Sequence, residues 1–172
     1  SAGPTIPDTP AGRKKLLEEL YGQLAKTREP DKAETVAQLI EQLGQASGSD
    51  TVDLLMQRAG AAIAGKNNAA ARELLDAVVG LEPRYAEAWN RRAALNYANQ
   101  NREAALADIA RVLSLDRRHF RALEGMGQIL RELGQDDLAL KAYRALSEVY
   151  PGYKDAIDAA EALGRKVEGQ GI

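Results

Sequence analysis

Apolar residues recur along this chain three and four positions apart, and almost nowhere in the strict alternation of a half-buried strand. Helices are the elements to expect, with glycine, asparagine and proline marking the breaks between them. A longer period is laid over the short one. Taking Val52, Ala86 and Phe120 as first residues of units 34 long brings large apolar residues into columns: Leu55, Trp89 and Leu123; Leu75, Ile109 and Tyr143; Val78, Val112 and Leu146. Small residues align as well, as Ala59, Ala93 and Gly127 and as Ala71, Ala105 and Ala139. Pro83 and Pro151 lie two periods apart, with Arg117 at the position between them.

Each unit reads as helix, turn, helix. The turns Gly65-Lys66-Asn67, Asn99-Gln100-Asn101 and Gly134-Gln135 carry glycine and asparagine, which tolerate the left-handed backbone that ends a helix. The small columns let two antiparallel helices approach closely, and the large columns fill the space between successive pairs. One pair cannot bury such a face alone, so the pairs must stack.

Upstream, Thr9 reads as an N-cap with Pro10 in the first helical turn. Asp31 and Glu34 are spaced as a capping box for a second helix that runs to about Gln45. Tyr21, Ala25 and Ala37 fall roughly in repeat columns, with the second helix slipped by about one residue, so 9–46 is expected to be a degenerate repeat. A connector at 47–51 follows, with Asp50 expected to cap the first clear unit. The units then span 52–85, 86–119 and 120–153, followed by a capping helix at 154–167 and a tail at 168–172. The proline-rich residues 1–8 are expected to be disordered or extended along the surface.

Composition narrows the function classes. The 172 residues carry a formal charge of −2, which gives no electrostatic reason to expect nucleic acid. No apolar run reaches the ~18 residues of an integral membrane segment. Cysteine is absent and His119 is the one histidine, so thiolate chemistry and histidine-pair metal sites cannot be built; neither metal nor cofactor is expected. The chain starts at Ser1 without methionine, which suggests a removed upstream segment such as a secretory signal.

The three units resemble tetratricopeptide repeats, whose 34-residue pattern places Trp, Leu-Gly, Tyr, Ala, Phe, Ala and Pro at fixed offsets. The resemblance covers residues 52–153 and implies an all-α solenoid, a right-handed superhelix of helix-turn-helix repeats with about nine helices once the flanking helices are counted. It also implies that the first helix of each pair lines a concave groove. Met56 and Ile63 would then form an apolar wall, with Asn90, Arg91 and Tyr97 in the middle and Arg121, Glu124, Gln128 and Arg131 at a charged end. Such a surface suits an extended peptide or a helix. The lysine and asparagine with which some relatives grip a terminal carboxylate are replaced by Met56 and Gly60, so capture of that kind is not expected.

One column departs from the family. Its leucine position holds Arg58 and Arg92, and only the third unit keeps an apolar residue, Met126. An arginine there must lay its stem along the packed helix and find a carboxylate for its head. Asp108 is the expected partner of Arg92, and Asp76 that of Arg58; the alternative is a basic ladder reachable from the groove.

Other motifs have plain structural readings. Gly125-Met126-Gly127 follows no strand, and Gly127 belongs to the small column rather than to a phosphate loop. His119 and the segment "DRRHFR" at 116–121 read as a solvated turn. The carboxylate pairs Glu18-Glu19 and Asp136-Asp137 fall on helix surfaces or starts, although such a pair is also what a hydrolase reading would need. The function expected is a non-enzymatic adaptor that binds a protein or peptide, with a self-associating homo-oligomer as the second reading. The strings "SGSDTVDLLMQRA" and "VEGQGI" resemble small exported repeat proteins of alphaproteobacteria, which implies a periplasmic, envelope-linked protein; a cytoplasmic one is the alternative.

Overall fold

Capping side chains turn the 34-residue period into discrete helices. In the computed structural model, which describes residues 5–170, Asn67 accepts a hydrogen bond from the Ala70 N–H at 3.2 Å and Asn101 one from Ala104 at 3.1 Å. Each satisfies an amide that the first turn of a helix leaves unpaired. Among the described residues there are nine helices and no strand: α1 (Pro10–Leu24), α2 (Pro30–Gln45), α3 (Asp50–Ala64), α4 (Asn68–Leu81), α5 (Ala86–Ala98), α6 (Arg102–Leu115), α7 (Phe120–Glu132), α8 (Asp136–Val149) and α9 (Lys154–Gln170). The pairs α3–α4, α5–α6 and α7–α8 form the three repeats, and α9 packs against α8.

Several local expectations are corrected. The left-handed turn position is held by Lys66, Gln100 and Gly134, one period apart, while the asparagines cap the helices that follow. Ser49, not Asp50, caps α3, because its hydroxyl is the group that reaches the Val52 amide. Helix α2 starts from Glu29 and Pro30 with no side-chain cap, so Asp31 and Glu34 form no capping box. Thr9 does cap α1, accepting from Gly12 at 3.1 Å. Helix α9 continues to Gln170, through part of the expected tail; residues 171–172 lie outside the described residues. The expected disorder of 1–8 concerns residues 1–4, also outside them, and residues 5–8, where the Arg13 guanidinium holds the Pro7 and Asp8 carbonyls at 3.0 and 3.2 Å.

Packing follows the columns. Ala59, Ala71, Ala93, Ala105 and Ala139 are all buried between paired helices. A Cβ on Gly127 would lie 2.8–3.0 Å from the Tyr143 ring, which explains why glycine stands there. Trp89 packs between the cores of the first and second repeats, its indole N–H donating to the Pro83 carbonyl at 3.0 Å.

The α1–α2 hairpin departs most from expectation. Its helices form, but it does not stack ahead of the first repeat. It folds back across the N-terminal ends of α5 and α7, sharing a core with Phe120, Leu123, Tyr143 and Tyr150. Tyr21 donates to Asp116 at 2.7 Å, Glu18 accepts two bonds from Arg118 at 2.6 and 3.1 Å, and Glu41 accepts from Arg121 at 2.5 Å. Tyr85 donates to the Gln45 carbonyl, and Ala33 lies where a Cβ on Gly152 would sit. The leading face of α3–α4 is left bare as a result. Leu54 is 47% exposed, whereas its counterparts Ala88 and Ala122 are 0% and 1% exposed beneath the preceding repeat.

Candidate functional site

The inner helices α3, α5 and α7 carry the residues expected in the groove, and the structure divides them. Met56 is not on an open wall: it is 4% exposed, in the core of the first repeat with Val52 and Leu75. Ile63 is exposed. Arg91 reaches from α5 to α3, donating to the Met56 carbonyl at 3.1 Å and lying 3.4 Å from Glu87, so it braces two repeats. Burial pushes the Glu87 carboxyl above its usual range, and the nearby Arg91 charge opposes that shift.

Between α5 and α7 the groove holds a hollow of about 290 Å³. Ala93, Ala94, Gly125, Ile109 and Ile129 give it a small-residue and aliphatic lining, and Asn90, Tyr97, Gln128 and Arg121 stand around it. A polar chain holds the rim: Gln128 donates to the Tyr97 hydroxyl at 2.8 Å, Tyr97 donates to Glu132 at 2.6 Å, and Arg102 donates to Glu132 at 2.9 Å. The Tyr97 bond, followed by that from Arg102, holds the Glu132 carboxyl below its usual range.

At the charged end, Arg121 is already engaged by Glu41 and by Glu124, at 3.3 Å. Glu124 in turn accepts from Tyr153, at the start of α9. Arg131 is exposed. The segment 116–121 is therefore not a solvated face but the platform on which α1 and α2 sit. His119 is half-buried and caps α7, its Nδ1 accepting from Ala122 at 3.2 Å, and burial holds its pKa below the ordinary value.

The arginine column splits. Arg92 grips Asp108 with two bonds of 3.0 and 2.8 Å, donates to Asp76 at 3.0 Å and lies 4.8 Å above the Trp89 ring centroid. Asn96 also donates to Asp108, at 2.9 Å, and Arg72 donates to Asn96. Arg58 is exposed, and Asp76, expected to serve it, serves Arg92 of the following repeat. The ladder is absent because one of its two rungs, Arg92, is held by Asp108 and Asp76 in this network.

Sequence reading missed Leu17, Tyr21, Ile40, Glu41 and Gln45. They form one wall of a second cavity, of about 440 Å³, facing Glu87, Asn90, Phe120 and Arg121. The one-residue slip of α2 was the available signal, since it turns the helix by about 100° out of repeat register. The carboxylate pairs take structural partners: Glu18 binds Arg118, which lowers its pKa, and Asp136 lies 2.5 Å from Lys166. Among the described residues, no group of acidic side chains and histidine is placed to hold a metal ion, and no helix is long and apolar enough to cross a membrane.

Comparison with known proteins agrees with this geometry. A family model described as tetratricopeptide repeat matches residues 120–153. A TPR repeat-containing protein of Rhizobium etli is 43% identical over 156 residues, covering 91% of this chain and 76% of that protein. In fold, the crystal structure of MamA is similar at a TM-score of 0.63 and 18% identity, over 92% of this chain and 84% of that one. The Yersinia enterocolitica type III secretion chaperone SycD, in complex with a peptide of the translocator YopD, aligns at 0.63 and 16% identity, over 69% of this chain and 95% of that one. The first TPR of Spaghetti, bound to an HSP90 peptide, also aligns at 0.63, with 15% identity, over 68% and 93%. Repeat columns packed as inner and outer helices, together with a relative of 43% identity along most of both chains, place this protein in the tetratricopeptide-repeat family.

Proposed function

We propose that the protein is a non-enzymatic adaptor that takes a protein segment in its concave face, with the hollow between α5 and α7 as the anchor site. The observation that carries this reading is the pairing of a small-residue floor, Ala94 and Gly125, with two side-chain amides, Asn90 and Gln128, around a space of about 290 Å³. One large apolar side chain fits such a space, and the amides can bond the backbone on either side of it. SycD and Spaghetti, which share the fold, hold peptides in their structures, and this supports the reading. We also propose an envelope-linked, periplasmic location, on the resemblance of "SGSDTVDLLMQRA" and "VEGQGI" to exported repeat proteins. Fractionation of cells expressing the full-length gene tests that location; recovery with cytosolic markers would refute it.

The test of the groove is affinity capture with wild type beside Ala94→Arg, which fills the hollow with a guanidinium while leaving the buried columns intact. Discrete partners recovered by wild type and lost from the variant are expected. Identical recovery by both refutes groove binding.

A further inference from the structure

The α1–α2 hairpin covers part of the concave face, and its seat is built unlike the interfaces between repeats. Its rim is held by polar contacts, Glu18 with Arg118, Glu41 with Arg121 and Tyr21 with Asp116, and in the two ion pairs the side chains are 34–57% exposed. Partly exposed pairs of this kind contribute little and are screened by salt. Beneath them a cavity of about 440 Å³ lies between α2 and the starts of α5 and α7, beside the apolar contacts of Ile40 and Phe120. Asn90 and Arg121 line both this cavity and the groove hollow, so the hairpin borders the binding space directly.

The hairpin also has somewhere else to go. It is a helix-turn-helix unit of repeat dimensions, with helices of 15 and 16 residues. The face on which a preceding repeat would stack is open: Leu54 and Ala61 are exposed, whereas Leu95 and Ile129, the counterparts of Ala61, are buried by the repeat before them. The connector between α2 and α3, residues 46–49, is short and contains Gly48 at a φ of 86°, a conformation glycine adopts freely. The C-terminal end of α2 therefore stays beside α3 whichever way the hairpin swings.

We infer that the hairpin is a two-seat element: as observed it covers one end of the concave face, and moved onto the leading face of α3–α4 it completes a longer stack, releases Arg121 from Glu41 and uncovers Asn90. That uncovering exposes a binding site rests on the groove reading above; the movement itself does not.

Because the chain has no cysteine, spin labels can be placed cleanly at Gln38→Cys on α2 and Glu148→Cys on α8, both exposed. In this otherwise wild-type background one distance population, that of the observed seat, dominates. Glu18→Arg with Glu41→Arg sets like charges against Arg118 and Arg121. This is expected to shift the population ratio at least tenfold toward a second distance, roughly 20 Å longer at ~8–10 Å per helix layer. Adding Leu54→Glu is expected to abolish that second distance, with circular dichroism showing helix content retained in the charge-reversed pair. A single unchanged distance after charge reversal overturns the inference. So does a broad distribution insensitive to Leu54→Glu, or a long distance that grows with protein concentration and so reports a second copy on that face. No peptide is present, so failure here leaves the groove reading standing, and the Ala94→Arg comparison repeated in the reversed background tests that reading alone.

Discussion

Arg92 shows how one residue can break a family pattern and be repaired by its neighbours. Asp108 is 4% exposed, so removing its partner leaves a buried charge. Arg92→Leu, which restores the family's residue, is expected to cost about 3 kcal/mol in urea unfolding. Combining it with Asp108→Leu should recover more than half, since only the Asn96 amide then loses an acceptor. An Arg92→Leu that unfolds like wild type would contradict the network. The pairing was legible in the sequence because a charge in an apolar column demands a counter-charge nearby. The exposure of Arg58 could be read from the same columns: the Asp108 column holds Leu74 in the first repeat, so Arg58 meets no buried acid in its own pair and turns outward. The partial burial of His119 is not legible in the sequence, because nothing local to it shows that α1 and α2 pack nearby. Burial lowers its folded pKa, so its neutral form is favoured. Its stability contribution is full above the ordinary value of 6.5 and is lost as pH falls below it, where the unfolded chain binds more protons. His119→Asn keeps a cap and should flatten thermal stability between pH 7 and 5. An unchanged slope would remove His119 as its source.

At the scale of elements, the existence and pairing of the repeat helices were open to sequence reading, because period and columns are properties of the packing itself. Turn chemistry was only half legible. The left-handed position, one residue per inner turn, holds Lys66 at a φ of 57° and Gln100 at 64° beside Gly134 at 72°. A side chain there costs roughly 1 kcal/mol. Gln100→Gly is expected to be neutral or stabilising by up to about 1 kcal/mol, despite the extra entropy of an unfolded glycine. A clear loss of stability would mean the Gln100 side chain does more than tolerate its backbone. At Gly127 the direction reverses. Gly127→Ala drives a methyl into the Tyr143 ring and should cost about 1–3 kcal/mol by chemical denaturation. A neutral result would mean α7 and α8 can move apart freely.

Across the whole molecule, the sequence predicts a row of stacked pairs, and the structure shows a row with its first pair folded back. The contacts that fix this join residues far apart in the chain, Glu18 with Arg118 and Ala33 with Gly152, and neither a glutamate on a helix surface nor a glycine in a turn announces a distant partner. Gly152→Leu sets a bulky side chain against Ala33 and the Thr27 carbonyl, and it should speed amide exchange in α1 and α2 while leaving α3 to α6 protected. Uniform acceleration along the chain would show instead that the hairpin seat and the repeats unfold as one unit. The concave face is the proposed binding surface. A photoreactive amino acid at Ala94, exposed on inner helix α5, set beside one at Ala110, exposed on outer helix α6, reads that face directly in intact cells. Discrete covalent adducts from position 94 and none from position 110 are the result predicted. Adducts equal at both positions, or confined to position 110, would contradict the account.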